Sequence, residues 1–414
     1  MTRLLYSLII QLLLGATRLV AFFNSRLSDF IKSRDNLKTD LIQFNPGRQQ
    51  VIWIHCASLG EFEQGRPVIE QLRISFPHYR LLLTFFSPSG YEIRKNYPLV
   101  DKVTYIPFDT PRQTMEFVTL VNPAFVLLVK YEFWPNLLYA LAQKKVPVIS
   151  ISSIFRSNQI FFRSYGSMYL NALQGIGHFF VQNQQSKDLL NKYGINQVSV
   201  SGDTRFDRVR EITNSAKQLP DVENFLDNKP CWVIGSAWAE DLAVLNPLFL
   251  KYQNTFKFIF APHHVDSVSI QYFEKHISIP ALKYSDLQHS NSESELLIID
   301  QIGLLSSLYG FATFAWVGGA FGKGLHNILE AAAYGVPVFF GDKNFNKFQE
   351  AVDLIKLDAA FSCSDFSTLD AILYNFENNP NDLNAAKVAA SKYVSEHTGA
   401  TGMIMDYLKT EFHS

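Results

Sequence analysis

The stretch Val317–Gly341, VGGAFGKGLHNILEAAAYGVPVFFG, decides the fold. The apolar run Phe314–Val317 has strand character, Gly318–Gly324 is a glycine-rich loop, and His326–Tyr334 has a helix-forming composition closed by Gly335. Val336–Phe340 then reads as a second strand. Glycine lets the backbone turn sharply and come close to a ligand, and the unpaired amides at a helix start attract an anion such as phosphate. Glu330 falls about one turn inside the expected helix, where a carboxylate can accept hydrogen bonds from sugar hydroxyls. Taken alone, the loop fits a plain strand-to-helix connection equally well.

Outward from this stretch the same alternation recurs. Strands are expected at Val51–Cys56, Arg80–Phe85, Val103–Ile106, Phe125–Val129 and Val148–Ser152, with helices at Glu61–Ser75, Tyr91–Asn96 and Trp134–Lys144. After the polar segment Asp203–Asn228 a second series begins, with strands at Cys231–Ile234, Lys257–Ala261, Leu296–Ile299, Ala315–Val317 and Val336–Phe340. Such alternation predicts α/β architecture: two doubly wound, Rossmann-like halves, with ligands beyond the carboxyl ends of the strands in a cleft between domains. His289–Glu295 reads as a polar surface loop, and Asn384–Phe412 as helical, packing across the domain junction.

A chain of 414 residues exceeds one ordinary core, and 47% hydrophobic against 18% charged residues excludes extensive disorder. A net charge of −1 gives no bulk attraction for nucleic acid. Cys56, Cys231 and Cys363 are far apart and lack metal-ligand spacing, which predicts buried thiols in a reducing compartment. Leu4–Phe23 is almost wholly apolar and long enough for a bilayer, although Arg18 also suits the polar face of a helix lying in the interface. A buried core helix is the plain alternative. Arg26, Lys32, Arg34 and Lys38 follow, which favours a cytoplasmic body at the inner membrane face.

Several clusters can carry chemistry. In HCASLGEFEQGRP, His55–Pro67, Glu61 starts a helix after a strand and a small-residue loop; the helix dipole favours its anion, which can take a proton or simply stabilise the helix. Glu63 points roughly 200° around that helix and competes poorly for the same substrate. In KYEFWPNLL, Lys130–Leu138, Glu132 sits at a strand's carboxyl end, where it can hold substrate hydroxyls or cap the helix, and Trp134 can act as a hydrophobic staple. Arg156 and Arg163 offer guanidinium donors for an anion, or are two solvated surface residues. In the second half, Ser236 and Glu240 follow one strand and Pro262, His263 and His264 another. Adjacent histidines point apart and make no metal site, so hydrogen bonding to nucleotide or phosphate is expected. Lys347 and Glu350 can close the same pocket or pair on a helix surface.

In order along the chain, HCASLGE, TFFSPSGYE, YEFWPN, SIFRSNQ, GDTRFDR, GSAWAED, APHH, the Val317–Gly341 block and KFQEA resemble the 3-deoxy-D-manno-octulosonic acid (Kdo) transferases of lipid A assembly. The resemblance implies a two-domain GT-B glycosyltransferase fold: a membrane-associating region at 1–38, an acceptor-binding domain at 39–208 and a nucleotide-sugar domain at 209–414. It implies inverting transfer of Kdo from CMP-Kdo to a lipid A precursor (lipid IVA), with no metal in the catalytic step, no cofactor beyond the donor, and no nucleic-acid or protein partner. Glu61 then matches the general base. Ser58, Gly60 and Glu132 match the acceptor and sugar side, with Arg156 nearby. Ser236, Pro262, His263, Gly319, Gly324, His326, Asn327, Glu330, Lys347 and Glu350 fall on the donor side; there Glu330 meets the ribose, and amides from Gly324 to Asn327 offset the phosphate. Two positions depart from the family. His263 stands where arginine is usual, and Lys130 where an acid is frequent, so phosphate charge would be met elsewhere, at Lys323 or Arg156. A GT-B enzyme using a UDP-sugar and a non-catalytic, membrane-tethered binding protein are the alternatives.

Overall fold

The computed structural model describes residues 2–45, 49–288 and 294–412, so most of the loop expected at His289–Glu295 lies outside the described residues. The chain divides into two compact units: Met1–Arg208 together with Thr398–Ser414, and Val209–His397.

In the first unit, seven parallel strands run β1 (Val51–His55), β2 (Arg80–Phe85), β3 (Lys102–Tyr105), β4 (Pro123–Val129), β5 (Val148–Ser153), β6 (His178–Val181) and β7 (Val198–Val200). Their order in the sheet is β3-β2-β1-β4-β5-β6-β7. Side chains alternate along each strand, so Trp53 and Leu128 join the core on one face while Ile52, Ile54 and Leu127 join the core on the other. The strand order reverses between β1 and β4; the segments after these two strands carry Ser58, then Glu61 in the helix that follows it, and Glu132. The carboxy-terminal segment expected as helical is two helices, Pro380–Glu396 and Ala400–Phe412, interrupted at Gly399 with φ +112°. The second helix places Ile404, Met405 and Leu408 in a first-unit core.

The N-terminal helix, Thr2–Ala21, lies against this unit by one face only. Tyr6 Oη donates to Asp109 at 2.8 Å, and Ser7 Oγ and Arg3 Nε donate to Asn136 Oδ1 at 3.1 and 3.2 Å. Its other faces leave Leu4, Leu5, Leu8 and Leu12 exposed. Farther on, Arg34 is buried among Phe30, Phe86, Tyr105 and Phe108 and donates to the carbonyls of Ile106, Phe30 and Phe86 at 2.8–2.9 Å. This arginine, expected as one of the basic residues following the helix, instead fastens the N-terminal segment to the sheet. Burial lowers its pKa to about 10, still far above neutrality.

The second unit repeats the plan with β8 (Cys231–Ala237), β9 (Lys257–Pro262), β10 (Ala281–Lys283), β11 (Leu296–Ile298), β12 (Phe314–Val317), β13 (Val338–Gly341) and β14 (Ala360–Cys363), ordered β10-β11-β9-β8-β12-β13-β14. The segment read as a polar connection, Asp203–Asn228, contains two helices, Thr204–Asn214 and Pro220–Leu226. The four strands not foreseen, β6, β7, β10 and β14, are only three or four residues long. Three of these, β7, β10 and β14, are only partly buried and lack the unbroken apolar run that marks the equally short β11. All three thiols are free and buried.

Candidate active site

In the first unit β1 ends at His55, and Ser58 caps the helix Leu59–Ser75. Glu61 occupies the third helical position and folds back, its Oε2 accepting from Ser58 N at 2.8 Å and Ser58 Oγ at 3.1 Å. The carboxylate is thus a helix-stabilising group by geometry. It is also partly exposed, which leaves it accessible to a substrate. Burial raises its pKa above the ordinary carboxylate value and the charge of Glu132 adds to this, while Lys130 and the Ser58 bonds pull it back. A raised carboxylate is a better proton acceptor once ionised. Glu63 points elsewhere, to Arg94 at 2.9 Å, and Gly60 is exposed beside the cap.

Glu132 accepts from Trp134 Nε1 at 2.9 Å, and its Oε2 lies 3.8 Å from Nε2 of the fully buried His55. Of the two expectations for this residue, the capping one fails. The helix Pro135–Gln143 is capped by Asp109, whose oxygens accept from Asn136 N and Leu137 N at 3.1 and 2.8 Å. Nothing in the local sequence pointed to an aspartate 27 positions upstream; the helix Pro111–Val121, which begins just after Asp109, packs on the helix Pro135–Gln143 and brings it there. Lys130 turns the chain out of β4 in the left-handed region, φ 63°, with its carbonyl accepting from Ser153 Oγ at 2.6 Å. The left-handed region is strained for a lysine, and such strain persists where the surroundings hold it. Arg156 follows β5 and is exposed, with its backbone amide bonded to Gln159 Oε1 at 2.9 Å.

In the second unit the decisive stretch folds differently from its reading in one respect. The helix spans Leu329–Ala333 rather than His326–Tyr334. Asn327 Oδ1 accepts from Leu329 N at 3.2 Å in a local turn just ahead of the helix, whose N-cap is Ile328, and His326–Ile328 lie outside the helix. Gly319, φ +95°, reverses the loop so that Gly324 N donates to Gly319 O at 2.9 Å and His326 N to Gly318 O at 3.3 Å. Two of the amides expected to meet a phosphate are therefore engaged within the loop. Glu330 sits in the first turn, not a turn further in, where its Oε1 accepts from Asn327 Nδ2 at 3.1 Å.

Around that loop the carboxyl ends of β8 and β9 contribute an aromatic group that sequence did not foresee. Trp238 stacks on His263 with ring centres 4.5 Å apart, and His263 stacks on His326 at 4.5 Å. Trp238 Nε1 donates to His326 Nε2 at 2.9 Å. Indole is only a donor, so this Nε2 is an acceptor and the proton of His326 sits on Nδ1. Burial lowers the pKa of His326, and burial together with His326 and His264 lowers that of His263 to about 4. His263 is nonetheless exposed along one side, and solvent there moderates the shift. Both rings are neutral hydrogen-bonding groups near pH 7, not substitutes for a guanidinium.

Ser236 is in the left-handed region, φ 51°, and its carbonyl lies so near Gly318 that a side chain at Gly318 would come within 2.4 Å of it. Asp241, the last residue of GSAWAED, is fully buried below this turn and accepts from Trp238 N at 2.7 Å. Burial raises its pKa to about 6. Pro262 ends β9, and Lys323 Nζ lies 6.0 Å from the Trp238 ring. Lys347 is exposed at the end of the short 3-10 helix Phe345–Lys347 after β13, whereas Glu350 is 7% exposed in the helix Gln349–Lys356 and so is not the surface residue of a helix-face pair.

Residues 32–208 match the family model described as 3-deoxy-D-manno-octulosonic-acid transferase (kdotransferase). The chain is 25% identical over 380 residues to a 3-deoxy-D-manno-octulosonic acid transferase of Haemophilus influenzae, covering 87% of each protein. It is also 25% identical over 382 residues to a bifunctional glycosyltransferase/methyltransferase of Fusobacterium nucleatum, covering 88% of this chain but 56% of that protein. In fold it is similar to a UDP-GlcNAc 2-epimerase from Neisseria meningitidis, with TM-score 0.61, 16% identity, and 87% and 100% of the two chains covered.

Proposed function

We propose, for a chain that belongs to the 3-deoxy-D-manno-octulosonic acid transferase family, that it moves Kdo from CMP-Kdo to a hydroxyl of a lipid A precursor, lipid IVA, with inversion at the anomeric carbon. The observation that carries this reading is Glu61. It is partly exposed at the switch point of the first sheet, held by Ser58, beside Glu132 and with a raised pKa. In the proposed step Glu61 takes the proton of the acceptor hydroxyl, the hydroxyl oxygen bonds to the anomeric carbon, and the bond to phosphate breaks with its electron pair leaving on cytidine monophosphate. Glu132, oriented by Trp134, and Gly60 lie on the acceptor side. The second unit holds the donor: Glu330 toward the ribose, and His263 and His326 with Lys323 toward the phosphate, Pro262, Ser236, Gly319 and Gly324 shaping the floor. Lys347 and Glu350 border this site and Arg156 approaches the sugar.

The N-terminal helix supports attachment to the inner membrane at its cytoplasmic face. With one face bonded to the protein body, Leu4, Leu5, Leu8 and Leu12 exposed, and Gln11 and Arg18 exposed beside them, it fits a helix lying in the interface better than one enclosed by lipid across a bilayer. The test is incubation of purified protein with CMP-Kdo and lipid IVA. Kdo-bearing lipid and free cytidine monophosphate are expected in equal amounts; turnover with UDP-sugars alone would reject the reading.

A further inference from the structure

We propose that the apolar cavity between the N-terminal helix and the first unit holds one acyl chain of the lipid acceptor; this deepens the acceptor named above and rests on it. The cavity measures ≈ 440 Å³, with Ile10, Leu13 and Leu14 of the helix on one side and Phe86, Phe133 and Trp134 on the other. Among the described residues, neither lysine, arginine nor histidine lines it, and Asp109 is the one carboxylate that does. Asp109 is already engaged by Tyr6 Oη, Asn136 N and Leu137 N. A ligand with an anionic head inside the cavity would meet no counter-charge there, whereas hydrocarbon loses nothing by entering.

Two wall residues tie the cavity to the proposed chemistry. Trp134 donates to Glu132, and Phe86 N donates to the carbonyl of Ala57 at 3.2 Å, in the loop that leads to Ser58 and Glu61. The two rings meet edge to face at 4.9 Å. The walls therefore continue into the acceptor side, which favours a chain of the acceptor over bulk membrane lipid. Leu13 and Ile160, 57% and 39% exposed, form the mouth beside the apolar outer surface of the helix. A chain could thus pass from a bilayer into the cavity along a continuous apolar path.

The test compares lipid IVA with its deacylated disaccharide in detergent, using the full chain. Leu14→Trp, which fills the cavity, is expected to lower the preference for the acylated acceptor, as a ratio of kcat/KM values, by about tenfold. The double variant Leu8→Ser/Leu12→Ser, on the exposed face, should leave that ratio near wild type. Native mass spectrometry of the protein with each acceptor gives a readout independent of turnover: wild type retains the acylated molecule and Leu14→Trp does not. An unchanged ratio and unchanged retention in Leu14→Trp, or an equal loss in the outer-face variant, would overturn the proposal. Should Leu14→Trp fail to fold, Leu13→Trp at the exposed mouth replaces it. Absence of any Kdo transfer would sink the reaction class alone, with the retention measurement still deciding the cavity.

Discussion

The two sheets share a topology around their switch points and differ in what they place there. Beyond β1 and β4 stand charged groups, Glu61, Glu132 and Lys130, and the burial of Glu61 together with the charge of Glu132 raises its pKa while Lys130 opposes. Beyond β8, β12 and the adjoining β9 stand glycines and a neutral stack of Trp238, His326 and His263. Under the proposed function the first set would move a proton and the second would admit a polyanionic nucleotide closely. A repeated fold thus supplies the same platform twice, and the loops decide what each platform can do.

The sharpest way to break this comparison is Glu61→Gln, which keeps the shape and removes the base. Transfer is expected to fall by about 10²–10⁴-fold, with cytidine monophosphate affinity in the second unit retained. Ser58→Ala serves as a control for the cap, with an expected stability loss of ~1 kcal/mol and a smaller effect on rate. Transfer by Glu61→Gln at the wild-type rate would remove the assignment.

Next in size is Arg34→Ala, which withdraws a buried cation bonded to three carbonyls and is expected to destabilise the first unit by ~2–3 kcal/mol. Thermal unfolding should show the loss in first-unit probes, with donor binding unaltered. Gly319→Ala acts on the other side. Its φ of +95° and the 2.4 Å approach of a new Cβ to Gly324 O predict a loss of ~1–3 kcal/mol together with weaker cytidine monophosphate binding, measured by titration calorimetry. Equal donor affinity in wild type and Gly319→Ala would detach the glycine loop from the nucleotide.

The smallest effect expected is in the pH profile. Because Glu61 must be ionised to accept a proton and its pKa is raised, activity is lost as pH falls through a value above that of an ordinary glutamate. Lys130 lowers that pKa, so Lys130→Glu should move the acidic limb of the rate profile upward. A limb that stays in place on this charge reversal would mean that another group limits the rate.

Much of this was legible in the chain itself. Long apolar strands such as Phe125–Val129 declare themselves because both faces are buried, and the order of HCASLGE, YEFWPN and the Val317–Gly341 block carried the family resemblance. The glycines at 319 and 324 announced a close turn, which the positive φ values bear out. Local composition also marked Glu61 as a first-turn glutamate, though not its proton affinity, since that depends on its burial and on Glu132 and Lys130 from another loop.

Contacts between distant segments decided the remainder. Asp109 reaches the helix at Pro135 only through folding, Arg34 finds its aromatic cage only when strands β2 and β3 lie side by side, and Trp238 meets His326 across 88 residues of chain. The amide of Leu329 is taken by Asn327 in a turn just ahead of a helix that composition alone would have begun earlier. Periodicity and turn residues act over a few positions, so sequence determines where strands and tight turns form. Hydrogen-bond partners, proton affinities and cavities arise from groups brought together across the chain, and only the packed tertiary structure assigns them.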